Sequence, residues 1–165
     1  MKNRSINILI VSLLMLGLMA VMLILLVDKA HDDFDDNITI SKNGETEKTL
    51  SVSGLKLVPT ESREYSVNLV CLASGAYAVT VDLEEIEDGG MKHFVDVVLK
   101  VDGECVYEGT LLSLLDGNEI VQFDAELFEK DPVVLTFSYT MPYHVGNEAQ
   151  GTTADFYVHI NIKKL

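Results

Sequence analysis

The stretch Glu64–Leu83, EYSVNLVCLASGAYAVTVDL, decides how this chain folds. Tyr65, Val67, Leu69 and Cys71 recur at every second position. Ser74-Gly75 then supplies a turn, and Tyr77, Val79, Val81 and Leu83 resume the same period, with Thr80 and Asp82 between them. In an extended chain successive side chains point to opposite faces, so a period of two marks a strand with one face buried. Two such strands joined by a tight turn begin an antiparallel sheet.

Working outward, the same signature repeats. Residues 37–41, NITIS, alternate and are rich in β-branched side chains, and Asn43-Gly44 turns. Residues 48–58 alternate around Gly54, which predicts a bulge, until Pro59 stops them. Glu84–Gly90 reads as an acidic loop. Residues 92–101 put Val95, Val97, Leu99 and Val101 inward, and Asp102-Gly103 is a hairpin turn leading to a return strand at 104–107. Thr110–Leu115 is the one helical piece, too short to stand without packing, and Asp116-Gly117 stops it. Extended structure is expected again over 119–127, 133–140 and 154–163, with Phe156, Val158, Ile160 and Ile162 on one face of the last strand. Eight to ten short strands at this spacing predict an all-β, antiparallel sandwich or barrel.

The other informative stretch lies at the N-terminal end. Ile6–Val27 is 22 residues without a charge. A helix needs about 20 apolar residues to cross a bilayer. Lys2 and Arg4 precede the run and Asp28 follows it, which keeps the N-terminal flank in the cytoplasm and sends the rest outside. The run exceeds the usual apolar region of a cleaved signal, and no small residue stands three places before a cut after Ala30. A retained anchor is favoured over a cleaved signal. The predicted organisation is a signal or anchor over 1–27, an acidic linker over 28–36, DKAHDDFDD, and an external domain over 37–165.

Charge narrows the function classes. The first 27 residues hold two of the twelve Lys+Arg and no carboxylate. Residues 28–165 therefore carry ten cations against 26 carboxylates, a net of −16. Nucleic-acid binding is disfavoured, because phosphate contacts need Lys and Arg. So is attraction to anionic lipid through a basic patch. The aspartates of the linker lack the glycine turn and distal Glu of a calcium loop and read as a solvated stalk.

No residue pattern marks catalysis, a metal or a cofactor. His31, His93, His144 and His159 form no ligand pair by spacing, and His93 and His159 could meet only through the fold. There is no Gly-x-Ser-x-Gly turn and no phosphate loop. Cys71 and Cys105 both fall on the apolar parity of their strands. Two buried small hydrophobes are the simpler reading, and a disulfide between them requires their strands to be neighbours. Asn37-Ile38-Thr39 matches a glycosylation sequon.

Three segments carry a resemblance. Residues 132–162 place a strand, Met141-Pro142, the loop Gly146-Asn147-Glu148-Ala149-Gln150-Gly151 and a closing strand in succession. Residues 55–69, LKLVPTESREYSVNL, run from a proline turn into a strand, with Pro59-Thr60 at the turn. Residues 97–115 form a hairpin followed by a short helix. In order and spacing, over roughly 37–163, the chain resembles the TasA/camelysin family of secreted or surface bacterial proteins, with similar domains in archaeal bundling pili. That family usually has Pro-Gly where this chain has Pro59-Thr60. The resemblance implies a jelly-roll sandwich, and an extracellular, non-enzymatic structural role as a fibre subunit of a biofilm matrix. It also implies an N-terminal strand donated to the next subunit, here Asn37, Ile38, Thr39, Ile40 and Ser41. The expected partners are further copies of the chain or other cell-surface proteins. Camelysins have also been called metallopeptidases, but no metal motif is present and that activity is not carried over.

Three other readings stand beside it. One is a membrane-anchored binding module, which pairing of the N-terminal strand within its own sheet would favour. Another is a pilin-like filament subunit, although Met1–Ile10 lacks the Gly/Glu arrangement of a processing site. The last is a secreted hydrolase, which needs a site the sequence does not display.

Overall fold

A computed structural model describes residues 37–41 and 43–165. The expected membrane-crossing segment, Ile6–Val27, and the acidic linker lie outside the described residues. Among the described residues no helix is long and apolar enough to cross a membrane.

Among the described residues nine strands form two sheets. They are β1 (Asn37–Ile40), β2 (Glu45–Leu55), β3 (Ser62–Cys71), β4 (Gly75–Glu87), β5 (Asp96–Val101), β6 (Glu104–Thr110), β7 (Val121–Leu127), β8 (Val133–Thr140) and β9 (Ala154–Lys164). The first sheet runs β1-β3-β8-β5-β6 and the second β2-β9-β4-β7. Most connections pass from one sheet to the other, so the inward residues of both sheets build one core. Ile40, Val67 and Phe137 from the first sheet and Val79, Phe156 and Ile160 from the second are buried in it. The alternation read from the sequence is the alternation seen. In β4, Tyr77, Val79, Val81 and Leu83 are all buried, while Thr80 and Asp82 are not.

The hairpin at Asp102-Gly103 forms as expected, with both residues at positive φ, 49° and 86°. The short helix also forms, as α1 (Leu111–Leu115). It buries Leu111 and Leu114, and Thr110 caps it by accepting the Ser113 N–H at 3.2 Å. The bulge predicted at Gly54 is present: the β2–β9 register shifts between Val52 and Leu55, and Gly54 sits at φ +62°.

Three expectations are corrected. The sheets are not wholly antiparallel, because β1 lies parallel to β3. The acidic loop expected from Glu84 is strand as far as Glu87, since Glu84 and Glu85 stand opposite Tyr157 and Phe156 of β9. The strand expected from Lys92 starts only at Asp96, and Met91–Phe94 is a 3-10 turn. Two forces hold that turn. The Met91 N–H donates to the Thr153 carbonyl at 3.1 Å. The buried Lys92 ammonium meets Glu85 at 2.8 Å and Asp88 at 3.3 Å.

Candidate functional site

The segment expected to act as a donor strand is β1. Its four residues stand opposite Asn68–Cys71 of β3, in the register Asn37↔Asn68 to Ile40↔Cys71. The NITIS alternation sends Ile38 and Ile40 into the core, where both are buried, and leaves Asn37 and Thr39 exposed. On the outer face the Asn68 amide donates to the Asn37 side-chain carbonyl at 3.2 Å. Burying an isoleucine side chain contributes about 1.5–3 kcal/mol, so the pair holds β1 with roughly 3–6 kcal/mol.

The C-terminal end of β1 is fixed by a tight crossover to the second sheet. The Ser41 N–H donates to the Thr46 hydroxyl at 2.9 Å, and the Ser41 hydroxyl donates to the Glu45 carbonyl at 2.7 Å. The Gly44 N–H closes the turn on the Ser41 carbonyl at 2.9 Å. Gly44 sits at φ +76°, where a Cβ would come within 2.6 Å of the Lys164 side chain. At the N-terminal end of β1 the Asn68–Asn37 amide bond is the hold seen among the described residues. β1 spans four of the ten residues of β3, and over Ser62–Val67 no strand lies on that side of β3 among the described residues.

The loop that carries the resemblance lies at the opposite end of β3. Met141 is buried and pairs with the turn before β3: its N–H donates to the Glu61 carbonyl at 3.0 Å, and its own carbonyl accepts the Thr60 N–H at 2.8 Å. Pro142 and Val145 lead into a 3-10 turn at Asn147–Ala149, and Gln150 follows it. Glu148 accepts the Gly146 N–H at 2.9 Å, and that bond, with one from its own N–H, holds its carboxyl below the ordinary range. Gly151 turns the chain at φ +81°. This loop and β1 are therefore two separate features and not one site.

The cysteines are free, with Cys71 buried and Cys105 exposed. Their strands, β3 and β6, are separated in the sheet by β8 and β5. Cys105 stands level with Ser66 through Lys100 and Thr136, so Cys71 is three interstrand steps of about 4.8 Å across and five residues of about 3.4 Å along, roughly 22 Å away, against about 7 Å that a disulfide can span. The apolar parity read for Cys105 fails because the β5–β6 register shifts between Leu99 and Lys100.

His31 lies outside the described residues, and the other three histidines hold ordinary structural positions. His159, on the outer face of the second sheet, is pinned between the Thr49 hydroxyl and Glu84, each at 3.0 Å. His93 packs against Phe94 and His144 against Tyr143. Among the described residues no group of three His, Cys, Asp or Glu side chains gathers as a cation site. The residue missed by sequence reasoning is Lys92. The acidic run Glu84–Asp88 followed by one lysine was the signal for its ion-pair cluster.

No family model and no curated protein matches the chain. Solved structures do resemble it. A β-glucosidase from Paenibacillus barengoltzii is 16% identical with a TM-score of 0.36, and the match covers 75% of this chain and 11% of the enzyme. The chain thus spans about a tenth of that enzyme. The sugar-binding EclA C-terminal domain is 17% identical over 66% of this chain and 81% of that domain, with a TM-score of 0.38. PliG of Aeromonas hydrophila, a periplasmic inhibitor of g-type lysozyme, is 12% identical over 77% and 96%, with a TM-score of 0.37. Likeness at this level carries no inference about function.

Proposed function

We propose that this chain is a surface-displayed, non-enzymatic structural protein whose β1 strand is a detachable edge, closed on its own sheet at rest and exchangeable between copies. The supporting observation is the seating of β1. It has one short ladder, two buried isoleucines, a turn clasp at its C-terminal end and a single side-chain hydrogen bond at Asn37. Exchange puts Ile38 and Ile40 into the same pockets of a neighbour. Each isoleucine recovers there the burial it had in its own sheet, and strand addition needs no new surface. The strand order supports a jelly roll: β2-β9-β4-β7 faces β3-β8-β5-β6, and β1 is an addition beside β3. In this reading Ile6–Val27 anchors or exports the domain, and the acidic linker holds it off the bilayer.

A tethered binding module that never exchanges β1 is the second reading, and the pairing of β1 within its own sheet favours it. A lock separates the two. Asn37→Cys with Asn68→Cys, in a Cys105→Ser background, joins β1 to β3 at facing positions, about 4.8 Å apart across a parallel pair. The strand-exchange reading expects the oxidised variant to stay monomeric and its reduced form to polymerise like the parent. Polymers from the locked form, or none from the parent at any concentration, would leave the tethered module.

A further inference from the structure

We infer that the flank between β6 and β7 is a docking groove for an extended polypeptide of another protein, one that alternates apolar and basic side chains. The first observation is an open edge. β7 ladders with β4 over Gly75–Val81, and among the described residues no strand lies on its other side. Such an edge offers backbone donors and acceptors to an added strand.

The second observation is the shape beside that edge. β6 and β7, one edge strand from each sheet, touch but form no ladder, and a depression of about 370 Å³ is left beside them. Its apolar lining includes Val106, Phe123 and Ala125, with Glu104, Asp124 and Glu126 around it. Val106 is turned outward by the irregular β5–β6 register and is 37% exposed.

The third observation is charge. From Val101 to Glu129 the chain has eight carboxylates and no Lys, Arg or His. This stretch builds β6, α1 and β7. It carries half of the net −16 of residues 28–165.

These features select an alternating partner. A strand laid beside β7 keeps the period of two. Its side chains level with Phe123 and Ala125 enter the groove and should be apolar. Those level with Gln122, Asp124 and Glu126 stand on the exposed face and should be basic, because opposite charges across a ladder stabilise it and like charges destabilise it. The same rule disfavours this chain's own N-terminal segment as the occupant, since five of the nine residues in 28–36 are aspartate. A second copy of the acidic flank is disfavoured in the same way.

The test uses the full-length chain in detergent and three fluorescent synthetic peptides: alternating Val/Lys, alternating Ser/Lys and alternating Val/Glu. Anisotropy should show saturable binding of the Val/Lys peptide, with the other two at least tenfold weaker. Raising salt from 20 to 300 mM should weaken that binding at least tenfold, as screened charge pairs require. The triple variant Glu104→Lys/Asp124→Lys/Glu126→Lys should also lose at least tenfold, and Val106→Ser should lose affinity with all its charges kept. Hydrogen exchange should slow at Val121–Leu127 when the peptide is bound. Equal binding of the Val/Lys and Ser/Lys peptides would overturn the inference, as would slowed exchange elsewhere. Self-association that strengthens with salt and protects β7 would overturn it in favour of a second copy.

Discussion

At the residue scale, the clearest local constraint is Tyr107 over Gly109. The phenol lies where a Cβ at position 109 would be. It donates to Glu119 at 2.6 Å and lies 3.2 Å from the Ser113 hydroxyl, which ties β6 to α1 and the start of β7. Burial and the adjacent Glu119 carboxylate push the Tyr107 phenol above its ordinary pKa. Gly109→Ala displaces the ring and breaks that tie. We expect a loss of about 1–3 kcal/mol in urea unfolding, with the m-value unchanged. The Lys92 cluster makes a pH prediction. The Gly90 N–H and the Lys92 ammonium hold the Asp88 carboxyl below its ordinary value. Its contribution is full above the unfolded value near 4 and is lost as pH falls through the depressed one. Glu85 chiefly, with Asp88, raises Lys92, whose contribution is full below about 10.4 and is lost as pH rises through the raised value. The turn should hold from about pH 5 to pH 10. Asp88→Asn should make the acid limb of a thermal-melt pH profile shallower, while Glu85 keeps most of the alkaline limb in place.

At the element scale, β1 is worth more to its own domain than an exposed arm would be. Ile40→Ala should cost about 2–5 kcal/mol by denaturant unfolding, because it empties a site that is fully buried. A loss under about 0.5 kcal/mol would place Ile40 outside the folded monomer. Strand existence was legible wherever one face is buried, since Tyr77–Leu83 and Phe156–Ile162 alternate without interruption. It failed at ends decided by long-range partners. Glu84 and Glu85 look like loop residues, yet β9 provides a ladder for them. Lys92–Phe94 continue an alternating run, yet a buried ion pair and the Thr153 carbonyl bend them into a turn. The direction of β1 was not legible because NITIS alternates identically in a parallel or an antiparallel pair. Nor was the position of Cys105, because a register shift leaves no trace in the four residues 104–107 from which the strand was read.

At the scale of the whole molecule, charge is the dominant constraint. A net of −14 over 165 residues disfavours compaction through self-repulsion, and the acidic β6–β7 flank concentrates it. Salt screens this repulsion, so raising NaCl from 10 to 150 mM should increase stability by about 1 kcal/mol and the melting temperature by roughly 3 °C. A melting point that falls with salt would mean that attractive pairs outweigh the repulsion. The all-β class, sandwich or barrel, could be read from strand spacing alone, whereas the β6–β7 groove could not. The groove depends on how β6 and β7, an edge strand of each sheet, touch without forming a ladder, and no local pattern encodes that gap.

Strand exchange requires β1 to be the part of the sandwich that leaves first. Hydrogen exchange followed by mass spectrometry on the full-length chain measures this directly, by comparing peptides that cover Asn37–Ser41 with peptides from β9. We predict that β1 opens at several kcal/mol below global unfolding, while β9, paired on both sides, opens only with the whole domain. Equal protection of the two strands would contradict strand exchange and make β1 a fixed part of the core.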